Sequence, residues 1–167
     1  PEVIEAHPDA HLTIAGFGPE ESALRRQTKL LGIEERVHFL GAVSQEQLPG
    51  LYRRAAVFVA PFVQATSGDQ EGLGLVTVEA VGCGCPVVVS DLPAVADVIE
   101  DGALRVPPAD PAALARAIVK ILDHGEAKAQ EVALALRQRL MKRFDWSART
   151  DSYARILTEW ITDDRGA

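Results

Sequence analysis

From Glu71 to Ser90 the chain passes through a glycine-loosened acidic loop, a helix start, a glycine-marked helix end and an unbroken apolar strand. The strand, Val87-Val88-Val89, has no polar alternation, so both of its faces must be covered. A helix feeding such a strand through the short turn Gly82-Cys83-Gly84-Cys85-Pro86 leaves few architectures open, and a parallel sheet wrapped by helices fits. The same stretch places one carboxylate, Glu71, just before the helix and a second, Glu79, inside it. Between them the amides of Gly72, Leu73, Gly74 and Leu75 approach the helix start, where unpaired N–H groups and the positive dipole end favour an anion. Such a site can hold a diphosphate while the two carboxylates accept hydroxyl groups on either side of it.

Short apolar runs alternate with longer amphipathic segments elsewhere, the pattern of an α/β domain with a parallel sheet. It predicts strands at 11–15, 37–40, 57–60, 86–90 and 104–106. Helices are predicted at 20–31, 45–54, 74–83, 93–100, 111–123, 126–143 and 147–161. Gly32 stops the first of these, and Ser44 with Gln47 forms a capping box for the second. Asp110-Pro111 supplies an N-cap and a first-turn proline. The segment Pro1–Ala6 reads as the tail of a helix.

Composition narrows the function. The 167 residues, 47% of them apolar, suit one domain that buries roughly two-thirds of its unfolded surface. A net charge of −7 with no basic cluster argues against nucleic acid, and Arg25-Arg26 and Arg53-Arg54 read as solvated helix faces. No apolar run approaches the ~18 residues of a membrane span and no signal peptide opens the sequence, so a cytoplasmic location is expected. Cys83 and Cys85 sit too close for a disulfide and are too few for zinc, which makes them reduced core residues. His7, His11, His38 and His124 show no metal spacing, and His11 and His38 fall on strands as packing residues. No metal site is assigned.

Thirteen glutamates in a chain of this length give about one pair eight apart by chance, so the spacing of Glu71 and Glu79 needs its setting. That setting, the glycine loop, Glu79-Ala80, Gly82, Gly84, Pro86 and the valine run, resembles the E-x7-E signature of retaining glycosyltransferases of family 4, which have the GT-B fold. His11-Leu-Thr-Ile-Ala-Gly16-Phe-Gly18-Pro19 resembles that family's second strand and glycine loop. Arg36–Val43 resembles its third strand and Ala55–Pro61 its fourth. Val106-Pro-Pro-Ala-Asp110 and Arg143-Phe-Asp-Trp146 resemble a late strand-to-helix turn and a terminal aromatic motif. The match covers about residues 8 to 160.

The resemblance implies the C-terminal, donor-binding half of a GT-B enzyme: a Rossmann-like doubly wound parallel sheet over residues 1–167. Its terminal helix, 144–161, packs toward the N-terminal domain in the family. The expected activity is transfer of a sugar from a nucleoside-diphosphate sugar to a saccharide, lipid or other acceptor. Glu71 would be catalytic, contacting donor-sugar hydroxyls. Gly72, Leu73, Gly74 and Leu75, with Gly16 and Gly18 across the cleft, would face the diphosphate and sugar. Glu79 would accept the ribose hydroxyls about 7.5 Å along the helix from Gly74, and Ala42 and Val43 would border the base. No D-x-D motif is present, in keeping with a family that usually manages without a metal, and no cofactor is expected.

In the family a first strand, an arginine and a lysine precede the point matched by residue 1. The expectation is therefore a chain lacking that strand, with a gap between 11–15 and 57–60 that another piece of the protein fills. The N-terminal acceptor domain is the expected partner, and any peripheral membrane association would run through it. Three positions depart from the family pattern. Pro61-Phe62 stands for a common Pro-Ser, Asp101–Val106 is short and lacks a Thr-Gly pair, and Asp97 falls near a usual glutamate. The competing expectation is a non-catalytic nucleotide-sugar-binding or scaffold module of the same ancestry. A GT-B epimerase would need a histidine and glutamate framework that this sequence lacks.

Overall fold

The computed structural model describes residues 1–64, 74–96 and 98–163. In chain order the elements are α1 (Glu2–Ala6), β1 (Leu12–Ala15), α2 (Glu21–Leu30), β2 (Val37–Gly41), α3 (Leu48–Arg54) and β3 (Phe58–Ala60). They continue with α4 (Leu75–Gly82), β4 (Val87–Ser90), α5 (Pro93–Ala96), β5 (Arg105–Val106), α6 (Pro111–Asp123), α7 (Gly125–Arg143) and α8 (Trp146–Asp163). All five expected strands form, and every described strand pairing is parallel.

The strands lie in two groups. β1 pairs with β2, and β3, β4 and β5 pair in that order. β1 and β3 do not pair, so the expected break between 11–15 and 57–60 is present. The two groups differ in burial. Val87, Val88, Val89 and Ser90 of β4 are all buried, as their apolar run requires, whereas Leu12 and Leu40 of the other group stay exposed. The main core joins β3 and β4 to α4, α5 and α7 through Ala80, Val81, Val95, Ile99, Leu136 and Leu140.

Helix ends follow their sequence signals where the backbone allows. Gly32 adopts φ +65°, and the N–H groups of Gly32 and Ile33 bond the carbonyls of Lys29 and Thr28, a Schellman close to α2. The Asp110 carboxylate accepts the Ala113 N–H at 2.8 Å and caps α6. Asp110→Ala should lower stability by about 1 kcal/mol, read as a fall of a few degrees in a thermal melt.

Two predicted helices are shorter than expected. The Ser44 N–H does bond the Gln47 side chain at 3.1 Å, but this closes a turn, and α3 starts only at Leu48. A helix running from 45 would need an N–H from Pro49, which has none. Of the predicted 93–100 helix, Pro93–Ala96 is helical and 98–100 is not. Leu92, Val95, Val98 and Ile99 are all buried in the core, and the amides of Val98 and Ile99 share the Val95 carbonyl. Cys83 and Cys85 are free thiols, and burial pushes the Cys85 thiol up to about 11.

Candidate donor site

α4 begins at the glycine loop, where its start was expected. Gly74 is its N-cap, buried, with left-handed φ 64° and ψ 48°. That left-handed backbone favours glycine, while a Cβ there would make only ordinary contact with the Phe62 ring and the Thr77 hydroxyl at 3.4 Å. The Gly74 carbonyl accepts the amides of Thr77 at 2.7 Å and Val78 at 3.3 Å. The Leu75 and Val76 amides, in the first turn, are left without an intrahelical acceptor. Both residues are exposed, Leu75 by 61%. These side chains leave the helix start at the surface of the described residues. Below it the buried Thr77 hydroxyl has no hydrogen-bond partner among the described residues.

Glu79 sits one turn further along α4, half-buried. Its Oε2 accepts a hydrogen bond from the Tyr52 hydroxyl of α3 at 3.1 Å. The far end of α4 is fastened by α7. Arg137 Nε donates to the Gly82 carbonyl at 2.7 Å, and Gln130 Nε2 donates to the Gly84 carbonyl at 3.3 Å. These bonds take up carbonyls that a helix end leaves open, and they hold α4 against the core.

The remaining predicted residues gather at the carboxyl ends of β1 and β2. The Gly16 N–H donates to the Gly41 carbonyl at 2.7 Å, which draws the Gly16–Gly18 loop beside Ala42 and Val43. Gly16 and Gly41 both take positive φ, 112° and 66°. A Cβ on Gly16 or Gly18 would meet nothing within 4 Å, so this backbone borders open space. Ala42 and Val43 line a hollow with Leu40, Gln47, Leu51 and Arg54. α3 joins the two clusters, because Leu51 faces that hollow and the adjacent Tyr52 reaches Glu79.

Gly74, Leu75 and Glu79 thus share one helix, and Gly16, Ala42 and Val43 share one strand edge. Glu71, Gly72 and Leu73, with most of the loop before them, lie outside the described residues. Arg53 and Arg54 are exposed as expected but also border the Ala42–Val43 hollow. His11 and His38 do not pack into the core. They stack on each other with ring centroids 5.3 Å apart on an exposed part of the β1–β2 pair, where side chains alternate to the solvent face. His7 contacts Asp123 at 3.1 Å, a partner 116 positions away that no local spacing reveals. Among the described residues no group of histidine, cysteine, aspartate and glutamate is placed to hold a metal. No described helix is long and apolar enough to cross a membrane.

The family described as "Glycosyl transferases group 1" matches residues 1–124. The chain is 37% identical over 158 residues to the phosphatidyl-myo-inositol mannosyltransferase of Mycobacterium leprae, covering 93% of this chain and 40% of that protein. It is 33% identical over 158 residues to a glycogen synthase of Mycobacterium tuberculosis, covering 93% and 36%. The chain thus spans about two-fifths of the length of these curated relatives. Among solved structures, HepE of Anabaena in complex with UDP superposes with a TM-score of 0.78 at 25% identity, over 95% of this chain and 44% of that one. The sucrose-phosphate synthase of Thermosynechococcus elongatus gives 0.75 at 28% identity, over 97% and 42%.

Proposed function

This chain belongs to the glycosyl transferases group 1 family, and from that premise we propose that it is the donor-binding half of a retaining glycosyltransferase. The observation that carries the reading is the start of α4. The first-turn amides of two exposed residues, Leu75 and Val76, follow a left-handed glycine, and a carboxylate held from a second helix lies one turn along. In such a site the diphosphate of a nucleoside-diphosphate sugar meets the helix start, Glu79 accepts the ribose hydroxyls, and the base lies against Ala42 and Val43. Glu71 contacts the sugar, with Gly72 and Leu73 beside it and Gly16 and Gly18 opposite. HepE, a structural relative, is seen with UDP and with UDP-glucose, which supports a ligand of this class.

Transfer needs more than this half. A helix start contributes only ~0.3–1 kcal/mol toward an exposed anion, so further diphosphate charge would be met by cations elsewhere in the enzyme. Acceptor positioning, worth up to ~7–11 kcal/mol of barrier, would come from an N-terminal domain. α8 offers that domain an apolar stripe of Trp146, Tyr153, Ile156, Leu157 and Trp160, all exposed. The reading places the reaction in the cytoplasm and asks for neither metal nor cofactor at the diphosphate.

Calorimetric titration with UDP, GDP and ADP, beside a sugar-transfer assay, tests this. The whole protein should bind one of the three and transfer sugar, while residues 1–167 alone should bind weakly and not turn over. Turnover by residues 1–167 alone would remove the half-enzyme part of the reading. Absence of diphosphate binding by the whole protein would remove the donor site itself.

A further inference from the structure

Tyr52 is buried, with only 8% of its surface exposed, and its ring meets Phe58 edge-on at 5.5 Å. Phenylalanine would satisfy that packing equally well. What tyrosine adds is one hydroxyl, and that hydroxyl is spent on the Oε2 of Glu79. Glu79 is half-buried on α4 between the anion-ready helix start and the α7-fastened end, so its backbone is fixed while its side chain has room to turn. A lone partly exposed glutamate samples many rotamers and loses that freedom on binding a ligand.

We propose that Tyr52 is a positioning residue for ribose recognition, holding the Glu79 carboxylate by Oε2 so that its remaining lone pairs are presented to two vicinal hydroxyls. The inference rests on the donor-site reading given above. A carboxylate has about four acceptor positions, and the phenol takes one. No further hydrogen bond to this carboxylate is found among the described residues, so Oε1 and the rest of Oε2 stay available. Burial, then the hydrogen bond and charge of Glu79, push the phenol's ionisation above the ordinary tyrosine range, so it remains a donor. Of the titratable groups packed near it, Cys83 and Cys85 add repulsion of the same sign. The ordering entropy of Glu79 is thus met during folding and not at binding, which is the logic of preorganisation.

The test uses the whole protein that contains this chain, with UDP, GDP and ADP each measured beside its 2′,3′-dideoxy counterpart. Wild type should prefer the ribose form of its diphosphate by tenfold or more. Tyr52→Phe should cut that preference at least threefold, through weaker binding of the ribose form, with the dideoxy form unchanged within twofold. Glu79→Ala should abolish the preference, and Tyr52→Phe added to it should change nothing further, as two members of one unit behave. Circular dichroism and melting of each variant show whether it is folded. A merely structural hydroxyl would alter both ligands together or neither. A folded Tyr52→Phe that keeps the full preference overturns the positioning role while leaving the donor site standing. If Tyr52→Phe fails to fold, the decision passes to wild type with 3-fluorotyrosine at position 52, whose altered donor strength must change the ribose preference or the role is overturned. Wild-type protein that binds no diphosphate, or binds ribose and dideoxy forms alike, overturns this inference together with the reading it rests on.

Discussion

Alanine at Glu71 should lower sugar transfer by the whole protein about 10²–10³-fold in kcat, the scale seen when one preorganised polar contact to a reacting centre is removed. Donor affinity should fall much less than turnover, because the proposed contact to the donor sugar would strengthen as the anomeric bond breaks. Glu79→Ala should show the opposite split. In the proposed site its carboxylate would meet ribose hydroxyls far from the breaking bond, so that contact would be equal in ground and transition states. Loss of charged hydrogen bonds of ~1.5–3 kcal/mol corresponds to a rise of about 10- to 100-fold in the donor KM with kcat nearly constant. Steady-state kinetics with the donor varied separates the two. Indifference of both parameters to both substitutions would favour a non-catalytic binding module.

Ile99→Ala should be among the most damaging substitutions for stability. Among the described residues Ile99 is the largest fully buried side chain, and it packs in the core that joins β4 to α4 and α7. Removing it loses the transfer free energy of three carbons and leaves a cavity in the packed core. The cost is about 2–5 kcal/mol, a large share of the ~5–15 kcal/mol that holds a domain of this size. A thermal melt should show a fall of roughly 5–15 °C. A change of only a degree or two would mean that the segment after α5 is not anchored as described.

What was legible in the sequence is what the backbone dictates locally. Val87-Val88-Val89 announces a strand covered on both faces, and β4 is one. Gly32 and Asp110 act where their residue types act in any chain, and α4 starts at Gly74 as expected, though the left-handed conformation of that glycine left no sequence signal. The errors were also local. The capping box at Ser44 was outweighed by the missing amide of Pro49. Contacts between distant side chains left no periodic trace. Tyr52 and Glu79 are 27 positions apart, and Arg137 lies 55 from Gly82. A tyrosine amid the apolar residues of a short helix was the only hint, since a buried hydroxyl must find a partner. The catalytic assignment of Glu71 rests on the motif and the family alone.

The placement of the aromatic residues has a spectroscopic consequence. The chain has two tryptophans, Trp146 and Trp160, and both stand on the open side of α8, 83% and 73% exposed. Neither indole enters the core around β4. Intrinsic fluorescence from this chain therefore carries almost no information about whether that core is folded, since both indoles are in water before and after it melts. It reports instead on α8: emission moves to the blue when, and only when, some other body covers that helix.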